Sequence, residues 1–208
     1  MTSRNRCHHF LTNTHESKRR PATIILAICW LVVMTCNFSA RTTALAQQSD
    51  PDEYQVKATY LYNFGKYVKW PASVPASKAD FFPVCVFGQD PFGAILDSTL
   101  AGETLDGKPV VLRRISKPQD GVECRILFIS STEEKHLKEI LAALSGGGVL
   151  TVSDMPDFTR RGGVIQFLLE GERIRFEVNL ANAENSKLVL SSELLKVAAS
   201  VRNRRSGD

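Results

Sequence analysis

The chain has 208 residues, with 26 Lys and Arg against 22 Asp and Glu for a formal charge of +4, and 43% of the residues are hydrophobic. That is enough for one ordinary domain with a real core, and the charge surplus sits in the first 46 residues, which hold six of the basic and one of the acidic side chains. The remaining 20 basic and 21 acidic residues come close to −1, so no surface for nucleic acid or an anionic membrane is implied.

Those first residues read as a targeting segment. Lys18, Arg19 and Arg20 form a basic cluster, Pro21 to Phe38 is almost wholly apolar, and a small-residue stretch ends in Ala44-Leu45-Ala46. The order is that of a secretory signal cleaved after Ala46, with an uncleaved membrane anchor as the alternative for an apolar run of this length. Cys36 follows Val33-Met34-Thr35, a poor match to a lipidation box. The expected plan is a signal peptide at 1–46, a polar linker at 47–53, one α/β domain at 54–202 and a frayed tail at 203–208. Arg202, Arg204 and Arg205 are read as part of that solvated end.

Tyr54 to Trp70 has a helical pattern. Val56, Tyr60, Phe64 and Tyr67 share one side, flanked by Leu61 and Val68, while Lys57, Lys66 and Lys69 face out. Tyr62 lies off that face, so either the stripe is generous or part of the helix meets another surface. Pro71 stops the helix. Pro83–Phe87 reads as a strand, Asp90-Pro91 as the N-cap and first residue of a short helix, Val110–Ile115 as a second strand, and Arg125–Ile129 as a third. The third is apolar at nearly every position, as strands covered on both faces are.

Ser131-Thr132-Glu133-Glu134 opens a helix to about Leu144, with acids in the first turn where the dipole favours them. Gly146, Gly147 and Gly148 end it, and Val149–Val152 is a fourth strand. Ser153 to Arg161 is a loop, and Val164–Leu169 and Arg173–Val178 pair as a hairpin across Glu170-Gly171-Glu172. In the second hairpin strand Ile174, Phe176 and Val178 point in, and Arg173, Arg175 and Glu177 point out. Helix returns at about Ala181–Asn185 and Ser192–Val201. The order implies a single α/β domain with a mixed, mostly parallel sheet, helices on both faces and a late antiparallel hairpin.

Export also narrows the chemistry. Of the five cysteines only Cys85 and Cys124 lie beyond residue 46, and of the four histidines only His136. An even pair in an exported protein points to a disulfide, with free buried thiols as the alternative. If the first and third strands are neighbours, the two cysteines sit near the same end of both, within reach of a bridge. Closing a loop of about 40 residues is worth roughly 4 kcal/mol on the chain-entropy model. A single mid-helix histidine gives no basis for a zinc site, and no nucleophile can be placed beside it.

The glycine clusters are read as structural. Gly88 to Gly93 follows a strand and opens a helix, but the spacing is not that of a dinucleotide loop, and Asp90 would repel a phosphate. Gly146 to Gly148 sits at the wrong dipole end. Arg160-Arg161-Gly162-Gly163 is different: two guanidiniums on a loop with Asp154, Asp157 and Phe158 suit an acidic patch on a partner, although a solvated turn would look the same. The expected partner-binding patch is therefore Phe158, Arg160 and Arg161 on the loop, continued by Arg173, Arg175 and Glu177 on the hairpin. No catalytic residue, metal or cofactor is assigned.

Several segments together resemble the YfiR family. They are Lys57 to Pro71, Cys85-Val86-Phe87-Gly88 with Pro91-Phe92-Gly93, and Cys124 to Ile129. Leu150-Thr151-Val152-Ser153-Asp154 with Phe158 and Gly162-Gly163, then Arg173 to Asn179, and Ser191-Ser192-Glu193-Leu194-Leu195 follow in order. The resemblance runs from about Tyr54 to Val201. It implies a periplasmic, non-catalytic α/β regulator, often a homodimer, that represses an inner-membrane diguanylate cyclase by binding its periplasmic sensor domain. An outer-membrane lipoprotein relieves such repression by sequestering the regulator, so that cyclic di-GMP output and biofilm formation follow the state of the envelope. A second disulfide found in the family's later half has no cysteines here. The alternative reading is a periplasmic small-ligand sensor feeding a membrane receptor or kinase, with its ligand in the switch-point crevice of the sheet.

Overall fold

The computed structural model describes residues 51–73 and 79–203. The expected signal segment with its cleavage site, linker residues 47–50, Arg204 and Arg205 lie outside the described residues. The elements are α1 (Pro51–Tyr67), β1 (Val68–Lys69), β2 (Phe82–Phe87), α2 (Ala94–Leu100), β3 (Thr104–Leu105), β4 (Lys108–Ile115) and β5 (Ile126–Ile129). They continue with α3 (Leu137–Ala143), β6 (Leu150–Ser153), β7 (Ile165–Glu170), β8 (Arg173–Asn179), α4 (Leu180–Asn185), β9 (Val189–Leu190), α5 (Ser192–Val197) and β10 (Ser200–Arg202). Short 3-10 turns at Pro118–Glu123 and Ser131–His136 precede β5 and α3.

β2, β5 and β6 are buried at every position, which requires cover on both faces. The strand order is β3-β4-β2-β5-β6-β7-β8-β10, with β4, β2, β5, β6 and β7 mutually parallel and β7–β8 the antiparallel hairpin. Alternation along the strands splits the core in two. Val84, Val86, Ile126, Phe128, Phe167 and Phe176 pack with Ala58, Leu61 and Phe64 of α1 and with α2. Cys85, Phe87, Leu127 and Ile129 pack with Leu137 and Ile140 of α3 on the other face. The mixed, mostly parallel sheet with helices on both faces and the late hairpin are as the sequence predicts.

Cys85 and Cys124 form a disulfide with a Cα–Cα distance of 6.0 Å. The neighbouring of β2 and β5 brings them together, since Cys85 stands opposite Leu127 in the register and Cys124 lies just before β5. Both cysteines are fully buried.

Four expectations are corrected. The first helix starts at Pro51 and ends at Tyr67, after which Val68 and Lys69 pair with Leu190 and Val189. Its buried face is also rotated: Val56 and Tyr67 are each 42% exposed, whereas Lys57 is buried beside Ala58, Leu61 and Phe64. Small residues set that face, because a Cβ at Gly65 would lie 2.3 Å from Leu105 Cδ1, and a stripe drawn through the largest apolar side chains misses it. Asp90 does not cap α2, whose N-cap is Gly93. Its carboxylate accepts from Phe92 N at 2.8 Å and pairs with Arg114 Nε at 2.7 Å, closing the turn before the helix. Lastly, residues 200–202 are strand β10, parallel to β8, so Arg202 is part of the sheet edge and not a frayed end.

Candidate functional site

The loop after β6 is held from inside. Met155 and Phe158 are fully buried in the α3-side core, and the Phe158 ring lies where a side chain at Gly163 would be, 2.1 Å from an ideal Cβ. Phe158 therefore does not serve as the exposed anchor its neighbours in sequence suggested. Thr159 follows it inward: its hydroxyl donates to Glu177, its N–H donates to Gln166 Oε1 at 3.4 Å, and its carbonyl accepts from Asn179 Nδ2 at 3.0 Å.

Glu177, expected to point out, is only 7% exposed. Besides Thr159, it accepts from Ser200 Oγ at 3.2 Å and lies 3.5 Å from Arg202 Nε. The outward face of β8 is covered at that point by the loop, with Ser200 and Arg202 of the neighbouring strand β10 beside it, which strand alternation cannot reveal. Loop and hairpin meet through the buried Thr159–Glu177 contact. Arg161 turns away, donating to the Glu134 carboxylate and carbonyl at 2.9 Å each. Arg160 stays exposed, 3.2 Å from Asp157. Arg173 is exposed and Arg175 half-exposed.

Those last two line a groove of about 870 Å³ between the first turns of α1 and the β7–β8 hairpin. Val56, Leu169 and Ile174 give it an apolar floor, with Leu169 62% exposed, and Asp52 and Glu172 join the arginines at its walls. An exposed aliphatic floor with charged walls is the composition of a protein-contact surface, with an apolar centre and a polar rim. Sequence reasoning missed Val56 because it was placed on the helix's buried stripe, and Leu169 because it was read only as the end of a hairpin strand. A second groove of about 280 Å³ runs between α1 and α5, lined by Tyr60, Phe64, Tyr67, Leu194 and Val197.

The carboxyl edge of the parallel strands carries a charged cluster. Lys57, 3% exposed, donates to Asp154 Oδ2 at 2.7 Å and lies 2.5 Å from Glu53 Oε1. The Tyr54 hydroxyl donates to the same Asp154 oxygen at 2.9 Å, and the Lys57 ammonium sits 4.4 Å from the Tyr54 ring centre. Burial, then the Asp154 charge and hydrogen bond, hold the Tyr54 hydroxyl well above the usual tyrosine range.

The switch point of the sheet lies between β2 and β5, where the chain turns first to β4 and then back to β5. Thr132 and Glu133 lie against the turn after β2 there: a Cβ on Gly88 would meet Glu133 Cγ at 2.7 Å, and Gln89 N donates to Thr132 Oγ1 at 3.2 Å. Both side chains thus stand beside the crevice in which the sensor reading put a small ligand. His136 is a surface residue, 3.5 Å from Glu133. Among the described residues no group of three or more His, Cys, Asp or Glu is placed to hold a metal, and no helix is long and apolar enough to cross a membrane.

A family model described as YfiR/HmsC-like matches residues 54–199. Among solved structures, a conserved domain protein from Vibrio cholerae O1 biovar El Tor is similar at 12% identity, with 58% of this chain and 54% of that one covered and a TM-score of 0.44. The ABC domain in complex with L-Trp from Streptococcus pneumonia is similar at 8% identity, with 69% and 60% covered and a TM-score of 0.46. The chain spans little more than half the length of either.

Proposed function

The chain belongs to the YfiR/HmsC-like family, and we propose that it is a non-catalytic periplasmic regulator that binds the periplasmic sensor domain of an inner-membrane diguanylate cyclase and lowers its output. The family is one of periplasmic regulators of diguanylate cyclases, and the match over residues 54–199 is the observation that carries the reading. The groove between α1 and the β7–β8 hairpin supports it, because a repressor needs a surface that core packing does not consume, and Val56, Leu169, Arg173 and Arg175 provide one. Arg160, exposed on the loop packed against the α3-side core, is proposed as a further contact residue. A homodimer as the working form, and release of the cyclase when an outer-membrane lipoprotein sequesters the regulator, complete the proposal.

Deleting the gene should raise cyclic di-GMP in the native host, and restoring the unmodified chain should lower it. A chain carrying Leu169→Asp should fail to restore the low level at unchanged periplasmic abundance. Full repression by Leu169→Asp would place the contact elsewhere, with the α1–α5 groove next to be tried. Unchanged cyclic di-GMP on deletion would remove the cyclase as the target.

A further inference from the structure

Arg125 stands at the opposite edge of the sheet from the charged cluster, at the amino end of β5. Its backbone is fixed from three sides: its N–H donates to the Pro83 carbonyl at 2.9 Å, and its carbonyl accepts from Leu150 N at 2.9 Å and from Trp70 Nε1 at 3.2 Å. The preceding residue, Cys124, is tied by the disulfide to β2. The side chain is correspondingly held, with the guanidinium carbon 5.4 Å from the Trp70 ring centre and 5.5 Å from that of Phe82. The two rings meet edge to face at 5.3 Å.

The residue is 7% exposed, and its Nε has no hydrogen-bond partner. Among the described residues no carboxylate pairs with it. Asp106 acts only at a distance, and burial pulls the guanidinium below its ordinary value. A buried charge without a partner is costly, and two aromatic faces return only part of that cost. The other buried cation described here, Lys57, has two carboxylates within 2.7 Å. An arginine so placed holds its planar guanidinium fixed with a dehydrated, unpartnered Nε, and the natural complement of a guanidinium is a planar anion.

We propose that Arg125, backed by Trp70 and Phe82, is a receptor for the carboxylate of a small molecule, separate from the groove proposed for the partner. The carboxylate accepts from the guanidinium fork, so that Arg125 is ion-paired only in the liganded protein.

The Nε–H resonance of Arg125 in the unmodified chain, followed by NMR while sodium acetate and sodium benzoate are added, tests this directly. A saturable shift is expected with either carboxylate. In Arg125→Lys, which keeps the charge and loses the fork, affinity measured by calorimetry should fall at least tenfold while the melting temperature holds. Absence of a saturable shift up to ~50 mM carboxylate, well beyond a millimolar dissociation constant, overturns the proposal. So does equal binding of chloride or inorganic phosphate, or carboxylate affinity unchanged in Arg125→Lys. Because the first readout uses the unmodified chain, it decides even where the variant fails to fold.

Discussion

The ammonium of Lys57 on α1 lies 2.7 Å from the Asp154 carboxylate at the carboxyl end of β6, a contact between residues 97 apart in the chain. It is the polar fastening between the first helix and the edge of the parallel strands, with Glu53 and the Tyr54 hydroxyl completing it. The same contact sets which face of α1 turns inward, since a lysine buried with its partners brings Ala58 and Leu61 in with it.

Removing the cation leaves two carboxylates facing each other. Lys57→Met, which keeps the aliphatic stem, is expected to destabilise the fold by about 3 kcal/mol, toward the low end for a broken buried pair because Asp154 and Glu53 retain some contact with water. Urea denaturation measures it. A loss under about 0.5 kcal/mol would mean that the pair is only a surface contact.

Tyr54 gives a dependence on alkaline pH. Its hydroxyl is held above the ordinary tyrosine value by burial and by the Asp154 charge, so the folded state keeps the proton after the unfolded chain has released it. The unfolded state then binds fewer protons, and stability falls as pH rises beyond about 10. Tyr54→Phe should flatten that part of the profile, measured as denaturation midpoint between pH 9 and 11. Parallel profiles for the two proteins would contradict the assignment.

The disulfide spans 39 residues and both its cysteines are fully buried. Cys85→Ser with Cys124→Ser should cost up to about 4 kcal/mol, seen as a lowered denaturation midpoint, while the circular dichroism stays that of the same fold. Reductant should shift the unmodified protein in the same direction and leave the double variant alone.

Phe158 and Arg160 are two residues apart and should behave in opposite ways. Phe158→Ala opens a cavity in the α3-side core and should cost about 3–5 kcal/mol, lowering abundance in the envelope. Arg160→Ala removes an exposed side chain and should change stability by no more than about 0.5 kcal/mol. Should Arg160 be a hot spot of the proposed contact, its loss weakens partner binding about thirtyfold with folding intact. Thermal melts and a pull-down on the same preparations separate the two effects.

The strands, the hairpin, the two-sided cover of the sheet and the Cys85–Cys124 pairing were legible in the amino-acid order, because each depends on periods of two or on runs that are apolar throughout. The match of separate short segments to one family was legible for the same reason, each being a local string. Which side of α1 is buried was not. That was decided by Gly65 lying against Leu105 and by Lys57 finding Asp154, contacts to chain 40 and 97 residues away. Nor could alternation along β8 show that Glu177 lies under a loop and beside a later strand, or that Phe158 turns in where Arg160 turns out. A local pattern fixes which residues share a face. Whether that face meets water depends on what the rest of the chain lays over it, and that is settled only when distant segments pack.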